Sequence, residues 1–522
     1  MRKRSLPQPE ERTERRISPA ASLSICALTV IAQIVLTLAL TQLLAEKISY
    51  VYFILELAGA VVAIWVYLRP GSPSYKLVWM CLLLALPVAG MILFLLWGGS
   101  HQAKSLSLRK VAPPVERESA RQASAANVAH LSRRSPAWGR LASYLQSRDF
   151  LLYGGSQARY FAEGADFFDD LVLHLQRAEI YIFLEYYILA EGQIWDRIFH
   201  VLRERAAAGV EVRIIFDDFG NLTRFSDASL QALQDAGVEV EVFNPVHRYV
   251  NRIYFNYRDH RKIAVIDGVH AYTGGINIAD EYANLFVRFG HWKDSGICLH
   301  GEAVWSFTVM FLQMWSTITG MECNFESYRP EIYHEEAFKK DGFVQPYGDS
   351  PLDGETVGEH VYLNIISQAK KYLYIFTPYL IPDNETLTAL CMAAKRGVDV
   401  RIVTPGIPDK KIVYILTQAN YEILLESGVQ MYQYTPGFIH SKSFVCDDEV
   451  ATVGTINMDY RSMYLHFECG VWMYGSSAVA QVKEDALTTF EQCEQINMDY
   501  CRKKNFAVRA LRGALKFLAP LL

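Results

Sequence analysis

No two of the nine cysteines, at positions 26, 81, 298, 323, 391, 446, 469, 493 and 501, are spaced C-x-x-C. The commonest zinc and redox spacings are therefore missing, and Cys26 and Cys81 fall in apolar stretches, so neither a metal site nor a disulfide framework is indicated. Cys446 and Cys469 read as small buried hydrophobes. A basic excess is missing too. Lys and Arg number 51 against 56 Asp and Glu, a formal net charge of −5, which lacks the footprint of a nucleic-acid binder. No nucleic-acid partner is expected. What is present is length: 522 residues leave room for two or more domains with large cores.

Three apolar runs follow a basic tail (1–20): 21–44 with no charge, 50–68 with only Glu56, and 77–97 interrupted by Pro87. Their lengths of 24, 19 and 21 residues match the ~20 residues that cross a bilayer as a helix. The first is too long for a signal-peptide core and has no small-x-small cleavage site. The region 21–99 is thus predicted to be multi-pass membrane helix. Arg2, Lys3, Arg4, Arg12, Arg15 and Arg16 place the N-terminus in the cytoplasm, whereas Lys104, Arg109, Lys110 and Arg117 pull the opposite way, and the side of the catalytic region stays open. Residues 100–136, rich in Ser, Ala, Arg and Gln with a Pro-Pro pair, read as a linker.

Beyond the linker one phrase occurs twice. HRKIAVIDGVHAYTGGIN (260–277) and HSKSFVCDDEVATVGTIN (440–457) both fit H-x-K-x4-D-x6-G-[GT]-x-N, 180 positions apart. Each reads as a strand closed by a turn. Side chains alternate along a strand, so His260 shares a face with Lys262, and His440 with Lys442. An imidazole beside an ammonium suits phosphate chemistry, and Asn277 or Asn457 after the turn can add a hydrogen bond. Asp267 and Asp447, seven residues from their histidines, have the opposite parity and are expected to brace the motif rather than touch substrate.

The duplication is wider than the phrase. AEIYIFLEYYI (178–188), AAGVEVRIIFDD (207–218) and GVEVEVFNP (237–245) are matched by AKKYLYIFTPYLI (369–381), AKRGVDVRIVTPG (394–406) and GVQMYQYTPG (428–437), with Gly209 and Gly397, and Gly237 and Gly428, as landmarks. Apolar β runs alternate with stretches of helical length. This predicts α/β halves at 137–330 and 331–500, each with a largely parallel sheet and crossover helices, meeting at the motif strands. An acid follows each motif at a similar place, Asp294 in GHWKDSGICLHG and Glu468 in YLHFECGVWMYG. A carboxylate there can hold the far nitrogen of a catalytic imidazole. His270, His291 and His466 read as structural. In the last segment (501–522) Val508, Leu511, Leu515 and Leu518 lie at helical spacing beside Arg509, Arg512 and Lys516, which fits either an anionic lipid interface or a helix packed on the domain.

With these residues in view the chain resembles the phospholipase D superfamily, whose signature is the duplicated H-x-K-x4-D motif with a downstream Gly and Asn. It is more closely similar to the bacterial cardiolipin synthases, through KLVW and LPVAG within 76–90, FLEYYIL (183–189), FTPYLIPD (376–383), GTINMDYRS (454–462) and the closing FLAPLL; the likeness covers about residues 50–522. It implies two homologous phospholipase D-like α/β halves with the active site at their interface, preceded by transmembrane helices. Three features depart from the pattern: the extra first apolar segment, and Gly275 and Thr455 where Ser is common. Both residues are small, and little consequence is expected of either.

The resemblance implies an integral enzyme of the bacterial plasma membrane that acts on phosphatidylglycerol without cofactor or metal, giving cardiolipin and glycerol through a phosphatidyl-histidine. It makes His260, Lys262, Asp267, His440, Lys442 and Asp447 the catalytic motif residues, with Asn277, Asn457, Asp294 and Glu468 in support. By family analogy His260 is the nucleophile and His440 the acid and base, although the near-symmetric motifs leave the roles interchangeable. Lipid hydrolysis to phosphatidate uses the same motifs. A phosphodiesterase or nuclease needs no such anchor, and an inactive membrane scaffold would have no reason to keep all six motif residues. Acceptor range and oligomeric state are left open.

Overall fold

The computed structural model describes residues 47–69, 71–98, 116–245, 256–332, 334, 337–502 and 506–521. Its described residues fall into two compact units, 47–98 and 116–521. In the smaller unit the helices are Lys47–Leu68, Pro73–Ala85 and Pro87–Leu93, the last running into a π turn at Phe94–Gly98. Two of the three begin with proline, whose missing N–H costs nothing in the first turn. Pro87 also forces Leu86 out of helical geometry, to φ −134° and ψ 70°. The expected span 77–97 is therefore not one helix, and the expected span 21–44 lies outside the described residues. Among the described residues no helix is long and apolar enough to cross a membrane. Phe53, Leu57, Val61, Ile64, Leu77 and Leu84 nonetheless point outward and are exposed.

The larger unit holds both halves. The first contributes β1 (Ser156–Phe161), β2 (Tyr181–Tyr186), β3 (Glu211–Asp217), β4 (Glu239–Phe243), β5 (Arg258–Asp259), β6 (Lys262–Ile266), β7 (His270–Gly274), β8 (His291–Lys293) and β9 (Gly296–Gly301). The second contributes β10 (Phe343–Asp349), β11 (Tyr372–Phe376), β12 (Leu380–Ile381), β13 (Asp399–Pro405), β14 (Gln430–Tyr434), β15 (Gly437–Ile439), β16 (Ser443–Cys446), β17 (Val450–Gly454), β18 (Met458–Asp459), β19 (His466–Tyr474) and β20 (Cys493–Ile496).

The main sheets run β1-β9-β7-β6-β2-β3-β4 and β10-β19-β17-β16-β11-β13-β14-β20, so strand for strand the second repeats the first and adds an edge. Along these two strand orders β2-β3-β4 and β11-β13-β14 are parallel, and each motif strand and its neighbours pair antiparallel. The expectation of a largely parallel sheet is corrected here. Short turns such as the one at Asp267-Gly268 can only return the chain antiparallel, whereas parallel neighbours need the helical crossovers found between β2, β3 and β4. The landmark glycines end those crossovers in the left-handed region, with φ of 92° at Gly209 and 91° at Gly397, then 84° at Gly237 and 95° at Gly428.

Alternation along the central strands sorts side chains between cores. Tyr181, Phe183, Ile263 and Val265 face an inner core shared with Tyr372, Tyr374, Phe376 and Val445 of the other half. Ile182, Leu184, Ala264 and Ile266 face outward under the first half's helices, as Leu373, Ile375, Phe444 and Cys446 do in the second. Each fully buried aliphatic or aromatic side chain is worth about 1.5–3 kcal/mol, so the shared inner core holds the halves together. The helices Val304–Thr319 and Ser477–Glu491 follow β9 and β19 in turn and add Phe307, Phe311, Val482 and Phe490 to it.

One further expectation changes, and one left open is decided. Part of the linker is the helix Glu118–Arg134, followed by Pro136–Ser147; Val128, Leu131, Trp138, Leu141 and Leu145 give these helices a face packed in the second half's outer core. The C-terminal helix Phe506–Leu518 packs on the domain, where Leu515 meets Ile381 and Leu416. Its Arg512 is buried and donates to Gln418 Oε1 at 2.7 Å, so this residue does not face lipid.

The motif aspartates are braces. Asp267 accepts the backbone N–H groups of Glu179, Ile180 and Tyr181 at 2.8, 2.8 and 2.9 Å, and Asp447 those of Lys370, Lys371 and Tyr372 at 2.7, 2.8 and 2.9 Å. Each thereby ties the end of a motif strand to the start of the central strand beside it. With three donors losing their acceptor, partly exposed to water, Asp447→Ala or Asp267→Ala is expected to cost about 2–4 kcal/mol. The denaturation midpoint of the detergent-solubilised protein measures this, and an unchanged midpoint would remove the bracing role.

Candidate active site

The two short strands that precede the motif histidines pair with the opposite half. Strand β5 runs parallel to β19, with Arg258 opposite His466 and Asp259 opposite Phe467. Strand β15 runs parallel to β8, with Gly437, Phe438 and Ile439 opposite His291, Trp292 and Lys293. The ladders continue through His260 N–H donating to Phe467 O at 2.9 Å and His440 N–H donating to Lys293 O at 2.7 Å. One residue further along each register, His260 stands beside Glu468 and His440 beside Asp294.

The side chains complete what the register begins. His260 Nδ1 lies 2.9 and 3.0 Å from the Glu468 oxygens, and His440 Nδ1 lies 2.6 Å from Asp294 Oδ2. Where the acid is ionised, as Asp294 is, it only accepts, which puts the proton on His440 Nδ1; in both rings the contact occupies Nδ1 and leaves Nε2 for chemistry. Each histidine is thus held by the acid of the other half, so neither half has a complete site alone. Tyr187 meets the His260 ring edge-on at 5.1 Å and Tyr282 meets His440 at 5.6 Å, which restricts ring rotation.

Lys262 and Lys442, both 1% exposed, donate to the backbone carbonyls of His260 and His440, and Lys442 Nζ also lies 2.8 Å from His440 Nδ1. The two asparagines differ. Asn277 donates to Tyr282 Oη at 2.6 Å and accepts from Ile188 N–H at 3.1 Å, so it is scaffold rather than the free donor expected. Asn457 keeps a buried Oδ1 without a partner.

Gly275 and Thr455 matter more than their size suggested. Thr455 Oγ1 donates to Glu468 Oε2, giving that carboxylate a second anchor. At the equivalent place, a Cβ on Gly275 would lie 2.1 Å from Asp294 Oδ1, and Asp294 is held instead by Ser295 N–H at 2.8 Å. The dyads are thus related but unequal.

Their electrostatics are unequal as well. Burial works to raise Asp294, but His440 and Lys442 outweigh it and hold its carboxyl below the ordinary range. Glu468 is pushed well above that range by burial, which Lys262 only partly offsets. Burial and then Lys262 hold His260 well below the usual histidine value. His440 is lowered to about 4 by burial and Lys442, against the pull of Asp294. Burial also brings Lys442 down to about 7 and Lys262 to about 8. These groups act on one another across the halves and form one site.

His466, read as structural from sequence, belongs to this site. Its ring centroid is 5.5 Å from that of His260, and its Nδ1 is 3.6 Å from Glu468 Oε1. The signal was available in the strand alternation, since His466 and Glu468 are two residues apart on one strand. His260, His466 and Glu468 each place a ligand atom within 4.8 Å of the others, a metal-compatible group that residue spacing had not suggested. The nearby charges of Lys262 and Arg258, felt by His466, oppose a cation there.

A duplicated α/β unit whose two His-Lys motifs meet at the seam, each imidazole backed by the partner half's carboxylate, defines the phospholipase D class of phosphotransfer proteins. The model of the cardiolipin synthase phospholipase D-like domain matches residues 171–287 and 362–489, and that of the phospholipase D-nuclease N-terminal region matches residues 58–99. An uncharacterized protein of Streptococcus mutans is 46% identical over 383 residues, 73% of this chain and 82% of the relative. The cardiolipin synthase of Alkalihalophilus pseudofirmus is 35% identical over 467 residues, 88% of this chain and 92% of the relative. Among solved structures, phosphatidylserine synthase from Haemophilus influenzae Rd KW20 shares the fold, with TM-score 0.55 and 17% identity over 73% of this chain and 99% of that one. The chain belongs to the bacterial cardiolipin synthase family of the phospholipase D superfamily.

Two outcomes follow from the geometry. Charged ammoniums offset phosphoryl oxygens, and they lose that charge as pH rises through about 7 for Lys442 and about 8 for Lys262. The kcat/KM is therefore expected to fall with rising pH across that window, and a profile flat through it would contradict the role of the lysines. Gly275→Ala should push Asp294 off His440 and cost about 10²-fold in kcat, while Thr455→Ser, which keeps the hydroxyl, should stay near wild type. Steady-state assays of the two variants check this.

Proposed function

We propose that the protein joins two phosphatidylglycerols into cardiolipin and releases glycerol, by two in-line displacements at phosphorus. His260 Nε2 attacks the first lipid's phosphorus as the bond to its headgroup glycerol breaks. His440 gives its Nε2 proton to that leaving oxygen. A hydroxyl of the second phosphatidylglycerol then attacks the phosphatidyl-histidine, its proton returns to His440, and His260 leaves. Lys262, Lys442 and Asn457 offset the charge that builds on the phosphoryl oxygens.

The observation that carries this reading is the crossed pairing of each histidine with the other half's carboxylate. Its inequality supports the assignment of roles. Asp294, held ionised, pulls His440 toward the imidazolium an acid requires, against the burial and Lys442 that lower it to about 4, whereas His260 is kept neutral, as a nucleophile requires. Burial of the histidines and lysines limits water at the site, which favours transfer over hydrolysis. The exposed apolar residues of the N-terminal unit support attachment to the bacterial plasma membrane, where the lipid substrates lie.

Purified protein in detergent, given radiolabelled phosphatidylglycerol with excess chelator and no nucleotide, should form cardiolipin and equimolar glycerol. Phosphatidate alone would instead make it a lipid hydrolase. His260→Ala and His440→Ala should each lower turnover by at least about 10³-fold without loss of expression. Radiolabel trapped on protein by acid quench should map to His260, and mapping to His440 would reverse the roles.

A further inference from the structure

His466 is 9% exposed, and neither of its ring nitrogens has a hydrogen-bond partner. A neutral imidazole carries one donor and one acceptor, and leaving such groups buried and unpaired is costly. Native proteins seldom accept that without a use for the group. The ring is locally placed with care: β19 alternation puts it on the same face as Glu468, and pairing with Arg258 of β5 sets it two residues before His260 across the ladder. It therefore borders the attacking imidazole without sharing that ring's hydrogen bonds.

Its surroundings say what it would meet. Burial, together with the charges of Arg461, Lys262, Arg258 and Lys410, keeps the imidazole neutral, so a donor N–H sits among four cations with one carboxyl, that of Glu468 at 3.6 Å, which burial itself raises well above its ordinary range. That combination favours an anion over a cation. The reaction proposed above brings two anionic lipids together. Lys262 and Lys442 serve the phosphorus under attack, and the acceptor lipid arrives with a second phosphodiester, joined through glycerol to the attacking hydroxyl. Juxtaposing two such charges requires a second place where one of them is neutralised and oriented.

We infer that His466 is a substrate-binding residue for the acceptor lipid, donating its N–H to the phosphodiester of the incoming phosphatidylglycerol within the positive field of Arg461 and Lys410. This rests on the phosphatidylglycerol reading of the site. It assigns the residue to the second half-reaction and to selection of a phosphate-bearing acceptor over a plain alcohol.

A partition experiment isolates that step. Full-length enzyme in mixed micelles of labelled phosphatidylglycerol is supplied with ethanol, so that one phosphatidyl-histidine divides between cardiolipin and phosphatidylethanol. The ratio of the two products does not depend on how fast the intermediate forms. In His466→Ala the ratio of cardiolipin to phosphatidylethanol should fall about tenfold or more, and in His466→Asn, which retains an N–H donor of similar reach, most of it should return. If both products fall together with an unchanged ratio, His466 serves the first step or the scaffold and the inference is overturned. If the wild-type enzyme makes phosphatidylethanol and no cardiolipin, the transfer reading itself fails and takes this inference with it.

Discussion

Everything at the centre of this protein depends on two short parallel pairings that cross between the halves. Strand β5 lies along β19 and β15 along β8, and each ladder delivers a motif histidine to a carboxylate it could not reach within its own half. The bonds are local and few, but they are set by register, and a slip of one residue would turn the side chain to the other face. The shared inner core supplies the stability that keeps the registers closed. Two aspartates then fix the motif strands from their far ends by taking up three backbone donors each.

Duplication explains the symmetry, and departures from it explain how equal parts can take unequal roles. A hydroxyl at Thr455 anchors Glu468, whereas the absence of a side chain at Gly275 lets Asp294 close on His440. Asn277 is spent on Tyr282, while Asn457 keeps an unpaired oxygen. One carboxyl is held below its usual range and the other above it. Both imidazoles are lowered, but only His440 has an ionised carboxylate pulling the other way, an inequality that the motifs alone do not show.

The N-terminal unit illustrates a different balance between composition and structure. Its apolar runs are plain in the sequence, but proline decides how they are divided: a helix resumes at Pro87 because the residue before it cannot remain helical. In the region 100–136 composition pointed to a linker, yet Val128 and Leu131 give Glu118–Arg134 a face to bury. Small and polar residues form a helix readily when a neighbouring surface accepts one side of it.

From the sequence by itself came the duplication, the two α/β halves, the family, the six motif residues and the candidacy of Asp294 and Glu468. These are legible because strand alternation and repeated spacing are local properties of the chain. Which acid serves which histidine was decided only by the tertiary structure, since that pairing joins residues 146 and 208 positions apart. The same holds for the mixed sheet, whose antiparallel members are set by how each turn returns the chain. It holds also for His466, which is an ordinary histidine in the sequence and becomes an unpaired donor beside the reacting centre only when β5 is laid against β19.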